Sequence, residues 1–318
     1  MITRRKFIIT AGGATIGLMA GCRSSGAGQP KAASDRIGNT DPKTALVIWY
    51  SQAGHTARMG RLVAKVLEGE GLTVTTGRMA GVDPASVPNF DLIVIGSPVY
   101  YMDVPENVVR WLAGIPGLNG KAVSAYVTFG GAGSNEVDTG WKIVKTLHDK
   151  GAVPVGMETF GNMSTYAPTW MSRGGVERIL KYRGLPNEQT YEKGRRFARQ
   201  ILERTRRGQG VGIGSEFSFS GLLVPFDPAW WIKRNISSHR IDRERCVGCG
   251  TCRNTCPAGA IGPEKNSVNR AACLVCFGCL NNCPAEAVEI IYRGERMVGF
   301  KKFCHDNRIV FREPPELA

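Results

Sequence analysis

The chain has 318 residues, 42% of them hydrophobic and 21% charged, and a formal net charge of +14. That is enough apolar material for two or three compact domains, and it excludes a disordered or low-complexity chain. The basic excess suits an anionic membrane surface or an acidic partner; nucleic acid is not expected, because no recognition motif accompanies the charge.

The N-terminus opens with Thr3-Arg4-Arg5-Lys6, followed by an apolar stretch from Phe7 to Ala20 and then Gly21-Cys22. The stretch is shorter than the ~20 residues a membrane-spanning helix needs and has the length of a signal-peptide core. The run resembles a bacterial twin-arginine signal, and its end resembles a lipoprotein cleavage box with Met19 where Leu is commonest. The resemblance implies export by the twin-arginine route over residues 1–22, lipidation at Cys22, and a place in the periplasm or on the outer face of the cytoplasmic membrane. The alternatives are a retained anchor or a plain cleaved signal. Residues 23–43, rich in Ser, Gly and Pro without apolar periodicity, read as a flexible tether.

From Thr44 the pattern changes. Ala45–Tyr50 is a continuous apolar run, as a doubly buried strand requires. Met59, Leu62, Val63, Val66 and Leu67 then recur at helical spacing. Further strands are predicted at Leu72–Thr76, Asp91–Gly96, Val123–Phe129 and Val153–Met157. Pro105 falls in the first turn of a helix, and two more helices cover Trp141–Lys150 and Glu188–Arg207. Strands alternating with helices over 44–207 predict a doubly wound α/β domain with five parallel strands.

Three loops follow the carboxyl ends of predicted strands, where ligands bind in open sheets of this kind. The first is Ser51-Gln52-Ala53-Gly54-His55-Thr56, hydroxyls and amides at a helix N-terminus, which is an anion site. The second is Ser97-Pro98-Val99-Tyr100-Tyr101, and the third Thr128-Phe129-Gly130-Gly131-Ala132-Gly133. The first loop resembles the phosphate loop of flavodoxins, with Ser51, Gly54 and Thr56 matching and Ala53 replacing a threonine. The others resemble that family's ring-binding loops. The resemblance runs from about Thr44 to Arg207 and implies FMN, with Tyr100 and Tyr101 as the stacking candidates; either could equally be core.

Residues 208–240 read as a linker: glycine-rich to Gly214, then an aromatic patch of Phe217, Phe219, Leu222, Leu223, Phe226, Trp230 and Trp231. The patch is expected to be irregular and packed between domains, the alternative being a membrane-interface contact, where Trp is enriched.

Cys246, Cys249, Cys252 and Cys256-Pro257 recur 27 positions later as Cys273, Cys276, Cys279 and Cys283-Pro284. The alternatives of disulfides or zinc fit poorly, since zinc sites pair two cysteine doublets rather than repeating a quartet that ends in proline. The repeat, spanning about residues 241–292, resembles the bacterial two-cluster ferredoxins. The resemblance implies two [4Fe–4S] clusters, the fourth cysteine of each run going to the other cluster. Cluster 1 would then take Cys246, Cys249, Cys252 and Cys283; cluster 2 would take Cys273, Cys276, Cys279 and Cys256. Cys304 stands outside the pattern as a buried or free thiol, in a C-terminal tail over 293–318. Arg240, Arg243 and Arg245 precede Cys246 and are expected to raise the potential of the first cluster and speed transfer to it from the flavin.

Together the two halves resemble flavodoxin–ferredoxin fusion proteins. The resemblance implies an extracytoplasmic, membrane-tethered electron-transfer protein working with a redox protein partner or the membrane quinone pool. Two alternatives remain: a flavin-dependent reductase of a quinone or other small acceptor, and a ferredoxin whose flavodoxin-like module holds no flavin. An aromatic-lined cavity open to solvent would favour the reductase.

Overall fold

The computed structural model describes residues 36–131, 135–214, 228–264 and 268–318. The signal segment, Cys22, residues 23–35 of the expected tether, Gly133 and the patch residues Phe217–Phe226 lie outside them. Residues 36–43 are not the loose tether expected, because Ile37 is buried in the core, Gly38 N donates to Gly120 O at 2.9 Å and Lys43 N donates to Asp91 Oδ2 at 2.9 Å.

The strands β1 (Thr44–Trp49), β2 (Thr73–Arg78), β3 (Leu92–Pro98), β4 (Ala122–Gly130) and β5 (Val153–Asn162) form one sheet in the order β2-β1-β3-β4-β5. Every pairing is parallel. This is the flavodoxin-like doubly wound order, as the sequence predicts. Alternate residues of β1 serve opposite layers. Ala45, Val47 and Trp49 pack under α1 (His55–Gly69) and α6 (Glu188–Arg206). Leu46, Ile48 and Tyr50 pack under α2 (Glu106–Ala113) and α3 (Glu136–His148). The central strands are buried on both faces, which is why they read as unbroken apolar runs. The edge strand β2, Thr-Val-Thr-Thr-Gly-Arg, is largely exposed. Pro105 is the N-cap of α2, and α3 starts at Glu136, earlier than its apolar residues indicate.

Between β5 and α6 the chain inserts two short helices, α4 (Pro168–Met171) and α5 (Gly175–Leu180). Neither is legible in the sequence, because each is too short for a periodic pattern.

The second half is a small antiparallel sheet, β6 (Ile236–Ile241), β7 (Val288–Tyr292) and β8 (Glu295–Arg296), with helices α8 (Thr251–Thr255) and α9 (Gly278–Asn282) between β6 and β7. The structure therefore departs from the expected linker and domain start. Helix α7 (Pro228–Arg234) lies within 208–240 and β6 begins there, pairing with β7 from Ile236 onward. Only the terminal isoleucines of Ile-Ser-Ser-His-Arg-Ile are buried, so the strand carried no apolar alternation to detect. Trp230 and Trp231 also differ from expectation: they sit on a helix and are 49% and 51% exposed, not packed between domains.

The segment read as a tail is likewise structured. Helix α10 (Phe300–Asp306) buries Phe300, Phe303 and Cys304. The residues after it return to the flavodoxin-like half. Tyr191 donates its hydroxyl proton to Arg312 O at 2.6 Å, Arg58 pairs with Glu313 at 2.9 Å, and Leu317 packs on the α1/α6 layer. Arg195, 12% exposed, makes a two-pronged pair with Glu316 at 2.6 and 3.0 Å and also reaches Glu188 and Glu192. Removing a largely buried guanidinium leaves its carboxylates facing one another. Arg195→Met is therefore expected to cost about 2 kcal/mol in chemical denaturation, whereas exposed Lys145→Met, which breaks only a surface pair with Asp149, should cost well under 1 kcal/mol.

Candidate functional site

A cleft of about 620 Å³ opens at the carboxyl ends of β1, β3 and β4, within the size range of small-molecule sites. Ser51, Gln52, Ala53, His55 and Thr56 line it from the first loop, Pro98, Val99, Tyr100 and Tyr101 from the second, and Thr128, Phe129, Gly130 and Gly131 from the third. Two expected residues do not line it. Gly54 caps α1 from beneath, at φ +98°, a conformation that suits glycine. Ser97 is fully buried and donates its hydroxyl proton to Pro98 O.

The first loop is built as an anion site. Gly54 N donates to Ser51 Oγ at 3.2 Å, and α1 begins at the next residue, leaving the first-turn amides without partners inside the helix. Thr56 and Thr128, both buried, join the first and third loops through their hydroxyls at 2.7 Å. His55 Nδ1 accepts from Arg58 Nη1 at 3.2 Å, because a guanidinium can only donate. Its proton is then on Nε2, which is buried with no partner in the structure. Gln52 Oε1 is orphaned in the same way. An unpaired buried N–H beside open helix amides fits a phosphate. Burial, and then Arg58, holds the His55 imidazole down at about 3, so it is neutral.

The second loop is a tight turn. Tyr100 and Asp103 exchange backbone hydrogen bonds at 3.0 and 2.9 Å across Tyr101 and Met102, at φ +51° and +64°. Non-glycine residues pay roughly 1–3 kcal/mol each in that region. The turn is held by Tyr101, whose hydroxyl donates to Val275 O at 3.0 Å and whose ring meets Tyr166 edge-on. Val275 belongs to the cysteine-rich half, so that half forms the far wall of the cleft. Cys276 lines it too, as do Tyr166 and Tyr182 from the insertion after β5.

None of the eight motif cysteines is in a disulfide. Cys246, Cys249, Cys252 and Cys283 line one small cavity. In the other group, Cys273, Cys276 and Cys279 each lie close enough to Cys256 to feel its charge. The crossed sets expected from the repeat are thus together in space. Among the described residues no three His, Cys, Asp or Glu are close enough to share one metal ion. The duplication extends to the backbone: left-handed residues recur 27 apart at Gly248 and Val275, Gly250 and Phe277, and Gly259 and Glu286. Ala260 N donates to Cys256 Sγ and Ala287 N to Cys283 Sγ, both at 3.2 Å.

The two sets differ in surroundings. Cys249 is exposed beside Val247, which is 70% exposed. Cys279 is buried and Cys276 half-buried against the cleft, and desolvation pushes the Cys276 thiol up to about 11. The set bordering the cleft is therefore the second, although the first follows the flavodoxin-like half in the chain. Arg240 and Arg245 sit by the first set but are paired with Glu289 and Asp242, at 2.7 and 2.9 Å. Their expected part in flavin-to-cluster transfer does not fit this placement. Cys304 is buried and free, and burial pushes its thiol up to about 11.

Side-chain contacts that the sequence did not reveal bind the halves together. Gln52 Nε2 donates to Tyr50 OH at 2.7 Å and to Thr255 O at 3.2 Å, while Asn282 Nδ2 donates to Gln52 O at 2.7 Å. Within the cysteine-rich half, His239 Nε2 lies 3.4 Å from Cys279 Sγ. Tyr50 ends an apolar run and reads as core; nothing in its spacing marks its hydroxyl.

The His55 environment gives a pH test on the cofactor-free protein. The folded imidazole protonates near 3 and the unfolded one near ~6.5. As pH falls through that window the unfolded state takes the proton first, so stability drops, by up to about 1.4 kcal/mol per pH unit. Denaturation midpoints from pH 7 to 4 should fall more steeply for the parent than for His55→Leu; equal slopes would contradict the buried neutral imidazole.

A 4Fe-4S binding domain is matched at residues 239–262, covering the first cysteine run. No curated protein matches the chain. Among solved structures, the flavodoxin of Streptococcus pneumonia TIGR4 aligns at 16% identity over 51% of this chain and 99% of its own, with a TM-score of 0.41. Flavodoxin 2 of Bacillus cereus aligns at 19% identity over 51% and 99%, with a TM-score of 0.40. Rubredoxin oxygen:oxidoreductase of Desulfovibrio gigas aligns at 18% over 52% of this chain and 37% of its own, at 0.38. The strand order, not these likenesses, carries the fold assignment. The chain joins a flavodoxin-like sheet to a ferredoxin-type 4Fe-4S binding domain.

Proposed function

We propose that this protein is an extracytoplasmic, membrane-tethered electron carrier that holds FMN in the cleft and two [4Fe–4S] clusters on the eight cysteines. One observation carries the reading: Cys276 lines the same cleft as the anion loop and Tyr100. A flavin exchanges one or two electrons and each cluster exchanges one, so the pair converts between two-electron and one-electron chemistry.

This chain's residues supply the placement. The α1 amides, Ser51, Thr56 and the His55 N–H are the phosphate donors. Tyr100, with Tyr101 beside it, offers aromatic cover for the ring system. The two cysteine sets each provide four thiolates, and the backbone amides of Ala260 and Ala287 already point at sulfur. Cluster binding releases thiol protons that burial otherwise retains. The electron partner is a redox protein or the membrane quinone pool. Arg4, Arg5 and Cys22 support twin-arginine export and a lipid anchor on the outer face of the cytoplasmic membrane.

A second reading is favoured by a specific feature. Four tyrosines, Tyr100, Tyr101, Tyr166 and Tyr182, line the cleft, which suits direct reduction of a quinone or another small acceptor. Steady-state reduction of a water-soluble quinone by the photoreduced protein distinguishes it from pure electron carriage.

Protein purified without oxygen should contain about eight iron and eight acid-labile sulfide per chain, with about one FMN. In Cys283→Ala the cluster on Cys246, Cys249 and Cys252 should be lost or altered; loss of the other cluster alone, followed by electron paramagnetic resonance, would contradict the crossing. Changing Arg4 and Arg5 together to Lys should leave the protein in the cytoplasm, and Cys22→Ser should release it from membranes. Cys22→Ser protein that still pellets with membranes would point to the uncleaved segment or to Trp230 and Trp231.

A further inference from the structure

Strand β6 presents a different side chain to each cysteine set. Its residues alternate between faces, so Ile241 and His239 share one. Ile241 lies opposite Val288 of β7, and both line the cavity of the first set. His239 lies opposite the fully buried Ile290 and reaches the second set, with its Nε2 3.4 Å from Cys279 Sγ. The backbone at His239 is held from both sides, by the β7 pairing and by Val268 N, which donates to His239 O at 3.4 Å. The ring is half-buried, and the sulfur it meets is only 8% exposed. A cysteine sulfur bound to iron carries no proton and can only accept. In the loaded protein this contact can therefore run only from Nε2–H to sulfur.

We propose that His239 is a positioning residue of the second cysteine set: its Nε2–H donates a hydrogen bond to the Cys279 sulfur and thereby raises the potential of the cluster bound there. This rests on the two-cluster reading above. A donor on a ligating sulfur stabilises the reduced, more negative state of a cluster. Water around a cluster favours the same state, and the first set has water at Cys249, which is exposed beside Val247. The second set, with Cys279 buried, has less of it. The His239 bond supplies to the inner set part of what solvent supplies to the outer one, and in a site away from water it is stronger than an exposed bond. The cluster on the flavin side stays reducible as a result.

The two cross-strand pairs on this face are Ile241–Val288 and His239–Ile290. Ile241, Val288 and Ile290 are apolar and buried, and the one polar member stands at the ligand sulfur. Placing an imidazole on an otherwise apolar face costs free energy unless its nitrogens find partners. The sulfur of Cys279 is the partner that Nε2 finds. The repeat is thus symmetric in its ligands and asymmetric in what β6 offers them.

The test is an anaerobic redox titration of the cofactor-loaded full chain, followed by electron paramagnetic resonance. His239→Leu removes the donor. It should shift the reduction equilibrium of one cluster about tenfold toward the oxidised form, about 59 mV downward for one electron, and leave the other unchanged. His239→Gln returns an N–H donor at the end of a side chain of similar reach and should recover most of the shift; a purely structural role would make the two replacements behave alike. The shifted signal should persist when Cys249→Ser is added, which alters the first set. In the parent, isotope labelling of histidine nitrogen should reveal a hyperfine coupling to the same reduced cluster, a measurement that needs no variant to fold. No histidine coupling, no shift in the leucine variant, equal shifts in both clusters, or a glutamine variant as low as the leucine one would overturn the assignment. A parent protein that binds no iron would instead refute the two-cluster reading on which it rests.

Discussion

The structure depends on one small polar knot at Gln52. Its main-chain carbonyl accepts from Asn282, and its side-chain amide donates to Tyr50 and to Thr255. These bonds tie the loop that starts α1 to both repeats of the cysteine-rich half, since Thr255 closes α8 and Asn282 closes α9. Enclosed polar bonds of this kind are costly to leave unmade, so the two halves are fixed at this point rather than merely adjacent. The apolar contacts around it agree: one buried cluster runs from Met163, Ala167 and Trp170 of the first half to Phe277, Phe300 and Phe303 of the second. Trp170 stacks on Phe303 at 4.7 Å and donates its indole N–H to Val298 O.

That junction accounts for a cost the second repeat carries and the first does not. Where the first repeat has glycine at its left-handed positions, Gly248, Gly250 and Gly259, the second has Val275, Phe277 and Glu286. Left-handed backbone at Val and Phe is strained by roughly 1–3 kcal/mol each. Val275 and Phe277 are each only 2% exposed, and both pack at the junction: Val275 O receives the Tyr101 hydroxyl, and the Phe277 ring meets Tyr166 at 5.4 Å. Side chains are present there because that repeat faces the other half, and the burial offsets the strain. Duplication made two equivalent loops, and docking made them inequivalent.

Much of this was legible in the sequence and some was not, for physical reasons. Strands buried on both faces announce themselves as apolar runs, as Ala45–Tyr50 and Leu92–Ile95 do. The three cleft loops were found because a parallel sheet puts its ligand loops at strand ends. The cysteine sets were found because a repeated ligand spacing is specific. What spacing does not encode is the partner of a loop. Gln52 read as a binding residue of the anion loop, yet its side-chain amide donates to Thr255 O in the cysteine-rich half. β6 was read as linker because a strand with only its two ends buried has no periodicity. The C-terminal residues read as a tail, since isolated aromatics such as Phe311, edge-on to His55 at 4.9 Å, acquire meaning only against another element. Chain order misled about adjacency too, for the first cysteine run is nearer in sequence and the second is nearer in space.

The account's central claim is that the anion-loop cleft and the second cysteine set form one site. Magnetic coupling between the one-electron-reduced flavin and the reduced clusters tests it most directly, measured as the flavin's spin relaxation in the loaded protein. The account predicts strongly enhanced flavin relaxation that survives in Cys249→Ser, where the exposed first set is altered. Flavin relaxation as slow as in an isolated flavoprotein, or enhancement that vanishes with the first set, would contradict it.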